Sequence, residues 1–173
     1  MSSERRRSNL DIASVTERDA PAVARKLASD PEGMDATGTE APREEAALER
    51  LIRNSIEGGG TLWRIRIGDD LFGAVVGDDP FADVEPGMFI WLDPRHRGND
   101  LGIRIVADAV KRFGEEGRER VVVRPPRSNY AALRILNALE FVYVGEEPVE
   151  RDGFEPRIRF ERGTRGGPGV PDP

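Results

Sequence analysis

The stretch of this sequence with the clearest capacity for chemistry runs from Ile90 to Val106 and reads IWLDPRHRGNDLGIRIV. An apolar run stops at Pro94, passes through a short turn with Arg97 and Gly98, and enters an amphipathic segment at residue 101. The first amides of a helix lack intrahelical acceptors, and the helix dipole adds positive charge at the same end, so both favour a bound anion. Glycine lets a phosphate approach the backbone closely, because it has no side chain. The spacing predicts an anion site, with a tight strand-to-helix turn as the alternative. It matches neither a P-loop nor a dinucleotide-binding glycine motif.

Composition excludes several classes of protein. The 173 residues include 26 basic and 32 acidic ones, giving a net charge of −6, which argues against a duplex-DNA binder. The absence of cysteine and the single histidine, His96, exclude disulfides, thiolate nucleophiles and multi-histidine metal sites. No apolar run reaches 18 residues and no signal peptide is recognisable. We therefore expect a cytoplasmic protein with no metal and with neither nucleic acid nor membrane as partner.

The elements that must position this turn follow from hydrophobic periodicity and turn signals. Residues 9–162 are predicted to form one mixed α/β domain between disordered ends at 1–8 and 163–173. Its sheet is central, mixed and mostly antiparallel, with six to seven strands and about four flanking helices. Segment 29–43 is predicted to be a loop. Strands are predicted at 10–15, 61–67, 71–76, 88–92, 120–124, 141–144 and 157–160, and helices at 16–28, 44–56, 101–113 and 129–139.

Two segments resemble the GNAT superfamily of N-acetyltransferases. Residues 92–102 (LDPRHRGNDLG) are similar to its V-x-P-x-x-R-G-x-G-x-G segment, and residues 129–141 (NYAALRILNALEF) to its N-x-x-A/S-x-x-L/Y-x-E-K-x-G-F segment. Residues 11–28 also resemble the first strand and helix of that family. The resemblance covers roughly residues 9 to 161, and it implies a GNAT-like acyl-CoA N-acyltransferase fold.

The resemblance implies acetyl-CoA as co-substrate and a primary amine that attacks the thioester directly. The pyrophosphate is expected on the turn amides, the pantetheine along the strand before them, and the acyl oxygen near the backbone N–H of Leu92. A small-molecule amine or a protein N-terminal amine is the expected partner, and a homodimer is left open. The residues expected at the cofactor are Phe89, Ile90, Trp91, Leu92, Arg97, Gly98, Asn99, Asp100, Leu101, Gly102 and Asn129.

The sequence departs from the family pattern at three positions. Asp100 replaces the middle glycine of the turn, and we expect its carboxylate to point outward or to cap the helix. Leu136 stands where many members carry a tyrosine that protonates the leaving thiolate, and Glu140 replaces a glycine. The alternatives are therefore a CoA-binding module of the same fold without turnover, or an enzyme that uses another acyl donor.

A cluster of carboxylates precedes the central strand, at Asp78, Asp79, Asp83 and Glu85. It is interpreted as a solvated turn or as a negative rim that attracts a cationic amine. In the second case Asp83 or Glu85 is the expected general base, because an amine must lose a proton before it attacks. His96 is expected to be a structural or surface residue rather than the base, and Trp63 and Trp91 are expected in the core.

Overall fold

A computed structural model describes residues 10–78, 87–149, 153 and 155–165, which form two antiparallel sheets with helices packed against them. The first sheet has the order β1-β2-β3-β4, with β1 at Leu10–Ser14, β2 at Leu62–Ile67, β3 at Asp70–Val76 and β4 at Phe89–Leu92. The second has the order β5-β7-β6, with β5 at Arg120–Val123, β6 at Val142–Glu147 and β7 at Arg157–Gly163. These seven strands confirm the predicted mixed α/β class.

Five α-helices lie within the described residues. They are α1 (Ala20–Ala28), α2 (Pro31–Thr37), α3 (Glu45–Glu57), α4 (Leu101–Glu115) and α5 (Tyr130–Ala138), and a short 3₁₀ turn covers Pro94–His96. None of them has the length and hydropathy that a membrane span requires.

Helix α2 corrects the prediction of a loop over residues 29–43. Asp30 caps its first turn by accepting a hydrogen bond from the Gly33 amide at 3.1 Å, and Pro31 begins the helix. Gly38 ends it in the left-handed conformation, with φ at 80°. Met34 is the one large apolar side chain that this short helix buries, so hydrophobic periodicity could not reveal it.

The two faces of the first sheet bury two different groups of side chains. One face packs against α1 and α3 and includes Phe89 and Trp91 of β4. The other face packs against α4 and continues beneath the second sheet, so that one apolar cluster joins both sheets. All six residues of the apolar stripe of α4 are buried, namely Gly102, Ile105, Val106, Ala109, Val110 and Phe113.

Strands β4 and β5 run parallel but touch at one bridge, between Met88 and Val123. There the Met88 amide donates to the Val122 carbonyl at 2.8 Å. Beyond Met88, β4 pairs with β3 alone within the described residues. The inner edge of β4 therefore borders a gap between the sheets over four residues, roughly 13 Å at ~3.3 Å per residue.

The end of the described chain is more ordered than predicted. Strand β7 reaches Gly163, which pairs with Arg120, and the Thr164 amide donates to the Glu119 carbonyl at 3.0 Å. The predicted disordered segments at 1–8 and 166–173 lie outside the described residues.

Gly102 brings α4 and α5 close together at the start of α4. A Cβ atom at this position would lie 2.8 Å from Cδ1 of Ile135. The absence of a side chain at Gly102 thus leaves room for Ile135 of α5. This packing role is separate from the expected contact of the Gly102 amide with the cofactor.

Replacing Gly102 by valine should lower the free energy of unfolding by about 1–3 kcal/mol, because the added methyl groups press against Ile135. Urea denaturation measures this loss. In an Ile135→Ala background the same change should cost clearly less, since the two positions are in contact. Gly145→Ala is the control, because a Cβ there meets no atom within 4 Å. Equal losses in both backgrounds would contradict this account of the glycine.

Candidate functional site

The backbone of β4 directs alternate peptide groups into the gap between the sheets. The Asp93 amide donates to the Phe72 carbonyl of β3 at 2.7 Å. Because the N–H and C=O groups of successive residues point to opposite edges of a strand, those of Trp91 and Phe89, two and four residues earlier, also face β3. Those of Ile90 and Leu92 face the opposite edge, the same edge from which Met88 reaches β5. The Leu92 amide, expected at the acyl oxygen, therefore lies on the gap side.

The turn after β4 exposes backbone at Gly98. Its φ is 82°, in the left-handed region that favours glycine, and a Cβ there would meet no atom within 4 Å. An anion can approach the peptide groups around Gly98 from this open side. The turn is thus accessible at Gly98.

The start of α4 carries one side-chain hydrogen bond to its first amides, and Asp100 does not make it. Asp100 is exposed and makes no capping hydrogen bond, so of the two expected arrangements the cap is not formed, and the outward orientation stays a prediction. Asn99 Oδ1 instead accepts a hydrogen bond from the Leu101 amide at 3.1 Å. The following amides, of Gly102 and Ile103, belong to the first turn and have no intrahelical acceptor.

Arg97 lies with its side chain along β4. Its Nε donates to the Leu92 carbonyl at 2.8 Å, and its Nη2 forms a short ion pair with Asp30. Asp30 also accepts a hydrogen bond from Trp91 Nε1 at 2.9 Å. Sequence reasoning missed Asp30, because nothing in the local sequence shows that the start of α2 lies beside β4.

Asp93 is a buried carboxylate at the end of β4 that sequence reasoning also missed. Its oxygens accept hydrogen bonds from Arg95 Nε and the Arg95 amide, each at 3.0 Å, and from Lys26 Nζ at 3.1 Å. Hydrogen bonds from Arg95 hold the pKa of Asp93 well below its usual range, and Lys26 adds to this effect against the opposing cost of burial. Lys26 thereby ties α1 to the base of the turn.

Asn129 caps α5 and reaches across to α2. Its Oδ1 accepts a hydrogen bond from the Ala132 amide at 3.0 Å, and its Nδ2 donates to the Ala36 carbonyl at 2.6 Å. The predicted cofactor residue thus has both side-chain atoms engaged within the protein.

Three other side chains, two of them considered in the sequence analysis, have well-defined surroundings. His96 stacks on Phe72 with ring centroids 4.4 Å apart, which fits a structural role. Leu136 is buried in the core that it shares with α4, so the position of the family tyrosine faces inward. Tyr130 lies on the same helix but is 74% exposed.

The carboxylate cluster before β4 is described only at Asp78. Asp78 forms a bidentate pair with Arg118 at 2.7 and 2.6 Å, and this hydrogen bonding lowers the pKa of Asp78. Asp79, Asp83 and Glu85 lie outside the described residues. In the part of the chain that is described, no three acidic or histidine side chains form a group suited to a metal ion.

The residues present fit an extended ligand that ends in a diphosphate. The open turn and the first amides of α4 suit the phosphates. The Ile90 peptide groups and the Leu92 amide face the gap and offer donors and an acceptor to an amide-containing chain, while the Leu92 carbonyl is held by Arg97. The apolar side chains of Ile90, Leu92 and Val123 border the same region and pack on the shared core. This combination matches the chemistry of coenzyme A.

Comparison with known families gives one match. The sequence model described as Acetyltransferase (GNAT) domain matches residues 9–142, which is more than half of the chain. No curated protein matches this sequence.

Solved structures with the same fold cover nearly the whole chain. YncA, a putative acetyltransferase from Salmonella typhimurium with acetyl-CoA, has a TM-score of 0.70 at 15% identity, covering 95% of this chain and 99% of that one. Spermidine N-acetyltransferase from Vibrio cholerae, with CoA and spermine, has a TM-score of 0.75 at 16% sequence identity. The match covers 91% of this chain and 96% of that one. RimL, a ribosomal L7/L12 alpha-N-protein acetyltransferase with CoA, has a TM-score of 0.75 at 14% sequence identity. The match covers 89% of this chain and 93% of that one. At these identities the likeness shows the fold.

Replacing Asp93 by asparagine should lower the free energy of unfolding at pH 7 by about 1–3 kcal/mol, because Lys26 and Arg95 lose a charged acceptor. A carboxyl whose pKa is lower in the folded chain binds fewer protons when folded. The stabilisation that Asp93 contributes is complete above the pKa of ~3.9 that aspartate has in the unfolded chain, and it is lost as the pH falls below that value.

The difference in the free energy of unfolding between wild type and Asp93→Asn should therefore be constant from pH 5 to 7 and shrink below about pH 4. Urea titrations across this range measure it. Asp35→Asn is the control, since Asp35 pairs with Arg43 on the exposed surface. A difference that grows toward acid would contradict the assignment.

Proposed function

We propose, because the chain belongs to the GNAT family of acetyltransferases, that it transfers an acetyl group from acetyl-CoA to a primary amine by direct attack on the thioester. The observation that carries the proposal is the inner edge of β4, which beyond Met88 pairs with no strand among the described residues and lies beside the left-handed turn at Gly98 and the first turn of α4. These features lie in the order that the parts of one extended ligand would need.

The cofactor-binding residues act through their backbone in this proposal. The peptide groups from Arg97 to Gly102 hold the diphosphate, with positive potential from the helix start. The gap-side groups of Ile90 pair with the pantetheine arm as an added strand would, while Phe89 and Trp91 keep β4 paired with β3. Bound acetyl-CoA supplies the acetyl group as an activated thioester.

The Leu92 amide polarises the acyl carbonyl oxygen in this proposal. Alternation along β4 supports this role, because the amide faces away from β3. A backbone donor fixed in a strand needs no reorganisation as negative charge develops on that oxygen. The leaving thiolate has an unperturbed pKa of ~8.5, so it is tolerable near neutral pH although Leu136 offers no proton.

The acceptor is proposed to be a small cationic amine or a protein N-terminal amine. Neighbours of the same fold are named for both kinds, spermidine and a ribosomal protein N-terminus. Asp83 or Glu85 is proposed to remove the ammonium proton. The cytoplasmic location expected from the sequence stays a prediction, and the sequence leaves a homodimer open.

CoA should raise the melting temperature of the protein, since ligand at 100 times its dissociation constant adds ~2.7 kcal/mol of stability. Gly98→Ala should weaken CoA binding about tenfold, equivalent to ~1.4 kcal/mol, because the added methyl group narrows the approach to the turn. Isothermal titration calorimetry measures both affinities.

Gly117→Ala is the matched control for this change. Gly117 follows the other end of α4, has φ at 88° and would also hold a Cβ in open space. It should therefore lower stability as Gly98→Ala does and leave CoA affinity unchanged. Equal CoA affinity in all three proteins would contradict the assignment of the turn.

Asp83→Asn and Glu85→Gln, made separately, test the proposed base. Loss of the true base should reduce kcat about 10²–10⁴-fold near neutral pH, and the loss should shrink as the free amine becomes abundant at higher pH. A carboxylate that only attracts the amine should raise KM with kcat unchanged. Thiol release with a polyamine, a free N-terminal peptide and its N-acetylated form measures the rates. Full activity of both variants at every pH would exclude a base in this segment.

A further inference from the structure

Asp30 lies where three parts of the site meet: the start of α2, the strand β4 and the turn after it. Its Oδ1 accepts from the Gly33 amide at 3.1 Å, and its Oδ2 accepts from Trp91 Nε1 at 2.9 Å and pairs with Arg97. The side chain is only 13% exposed. Burial raises the pKa of Asp30, but the hydrogen bonds from Trp91, Arg97 and Gly33 outweigh it and the pKa is lowered. The carboxylate is therefore charged at neutral pH.

Helix α2 spans the gap between the two sheets. Its first turn is held to β4 through Asp30 and Trp91. Its last turn is held to α5 through the hydrogen bond from Asn129 to the Ala36 carbonyl, and Glu40 beyond it pairs with Arg157 of β7 at 3.4 Å. The helix thus connects the β4 side of the gap to the β5 side.

Arg97 links the turn to this helix. Its guanidinium contacts the Leu92 carbonyl and Asp30 together, so its position depends on both β4 and α2. Gly33 provides the space for this pair, because a Cβ there would lie 1.9 Å from Asp30 Oδ2 and 2.3 Å from Arg97 Nη2. Any ligand that orders the turn around Arg97 also orders the partner of Asp30.

We propose that Asp30 is a positioning residue that couples the cofactor turn to α2, so that CoA in the turn stabilises the helix spanning the gap. This inference rests on the proposed CoA site. The Asp30–Arg97 pair transmits the effect, and by thermodynamic linkage α2 must in return influence the affinity for CoA.

Hydrogen exchange of the full chain, with and without saturating CoA, tests the coupling through the amides of residues 33–38. In wild type, CoA should slow their exchange about fivefold or more, the lower range of typical coupling between sites. Asp30→Asn keeps an N-cap acceptor but loses the charge that holds Arg97, so CoA should no longer slow the exchange. Glu32→Gln, at an exposed carboxylate in the same helical turn, is the matched control and should behave as wild type.

Asp30→Ser provides a second test, because serine also caps helices but is too short to reach both Trp91 and Arg97. CoA-dependent protection of α2 that persists in either Asp30 variant, or that is missing in wild type with CoA bound, overturns the coupling alone. Failure of wild type to bind CoA in calorimetry overturns the proposed function and the coupling with it. A general loss of stability through Asp30 would change exchange with and without CoA alike and would also count against the coupling.

Discussion

Met88 and Val123 form the one edge-to-edge contact between the two sheets in the described residues, and the rest of the site depends on it. Because β4 and β5 meet at this one point, the polar groups on the inner edge of β4 beyond Met88 have no neighbouring strand in the part of the chain that the structure describes. Backbone donors and acceptors away from water require partners, and a ligand with its own amides can supply them. The gap is thus the region in which the proposed cofactor would pair with β4.

Charged side chains hold the elements around this gap in place. Asp19, at the start of α1, contacts Arg64 and Arg66 of β2 at 3.3 and 3.0 Å. Asp93 ties the end of β4 to Lys26 of α1, and Asp30 ties α2 to Trp91 and Arg97. Partly buried carboxylates are costly unless they are paired, so each of these contacts favours one arrangement over near alternatives.

The short helix α2 is held in place with little apolar burial, because hydrogen bonds fix both of its ends. It buries Met34 against the α1 and α3 face of the first sheet, and its polar contacts fix the rest. Such an element is poised to respond to nearby changes, because local stability follows the few contacts that hold it. Its contacts across the gap link β4 on one side to α5 and β7 on the other.

Hydrophobic periodicity and turn signals in the sequence determined the long elements and the class of the fold, and Pro94 with Gly98 indicated the turn that is proposed to hold the phosphates. The apolar stripe of α4 and the run before Pro94 depend only on neighbours in sequence, so they could be read without coordinates. Contacts between distant segments decided the rest. The short α2 has too few apolar residues for a periodic signal, and its cap Asp30 meets Trp91 and Arg97 from 61 and 67 residues away. Asn129 likewise fits the family motif in sequence, yet packing directs its amide to Ala36, because only the folded chain brings α5 beside α2.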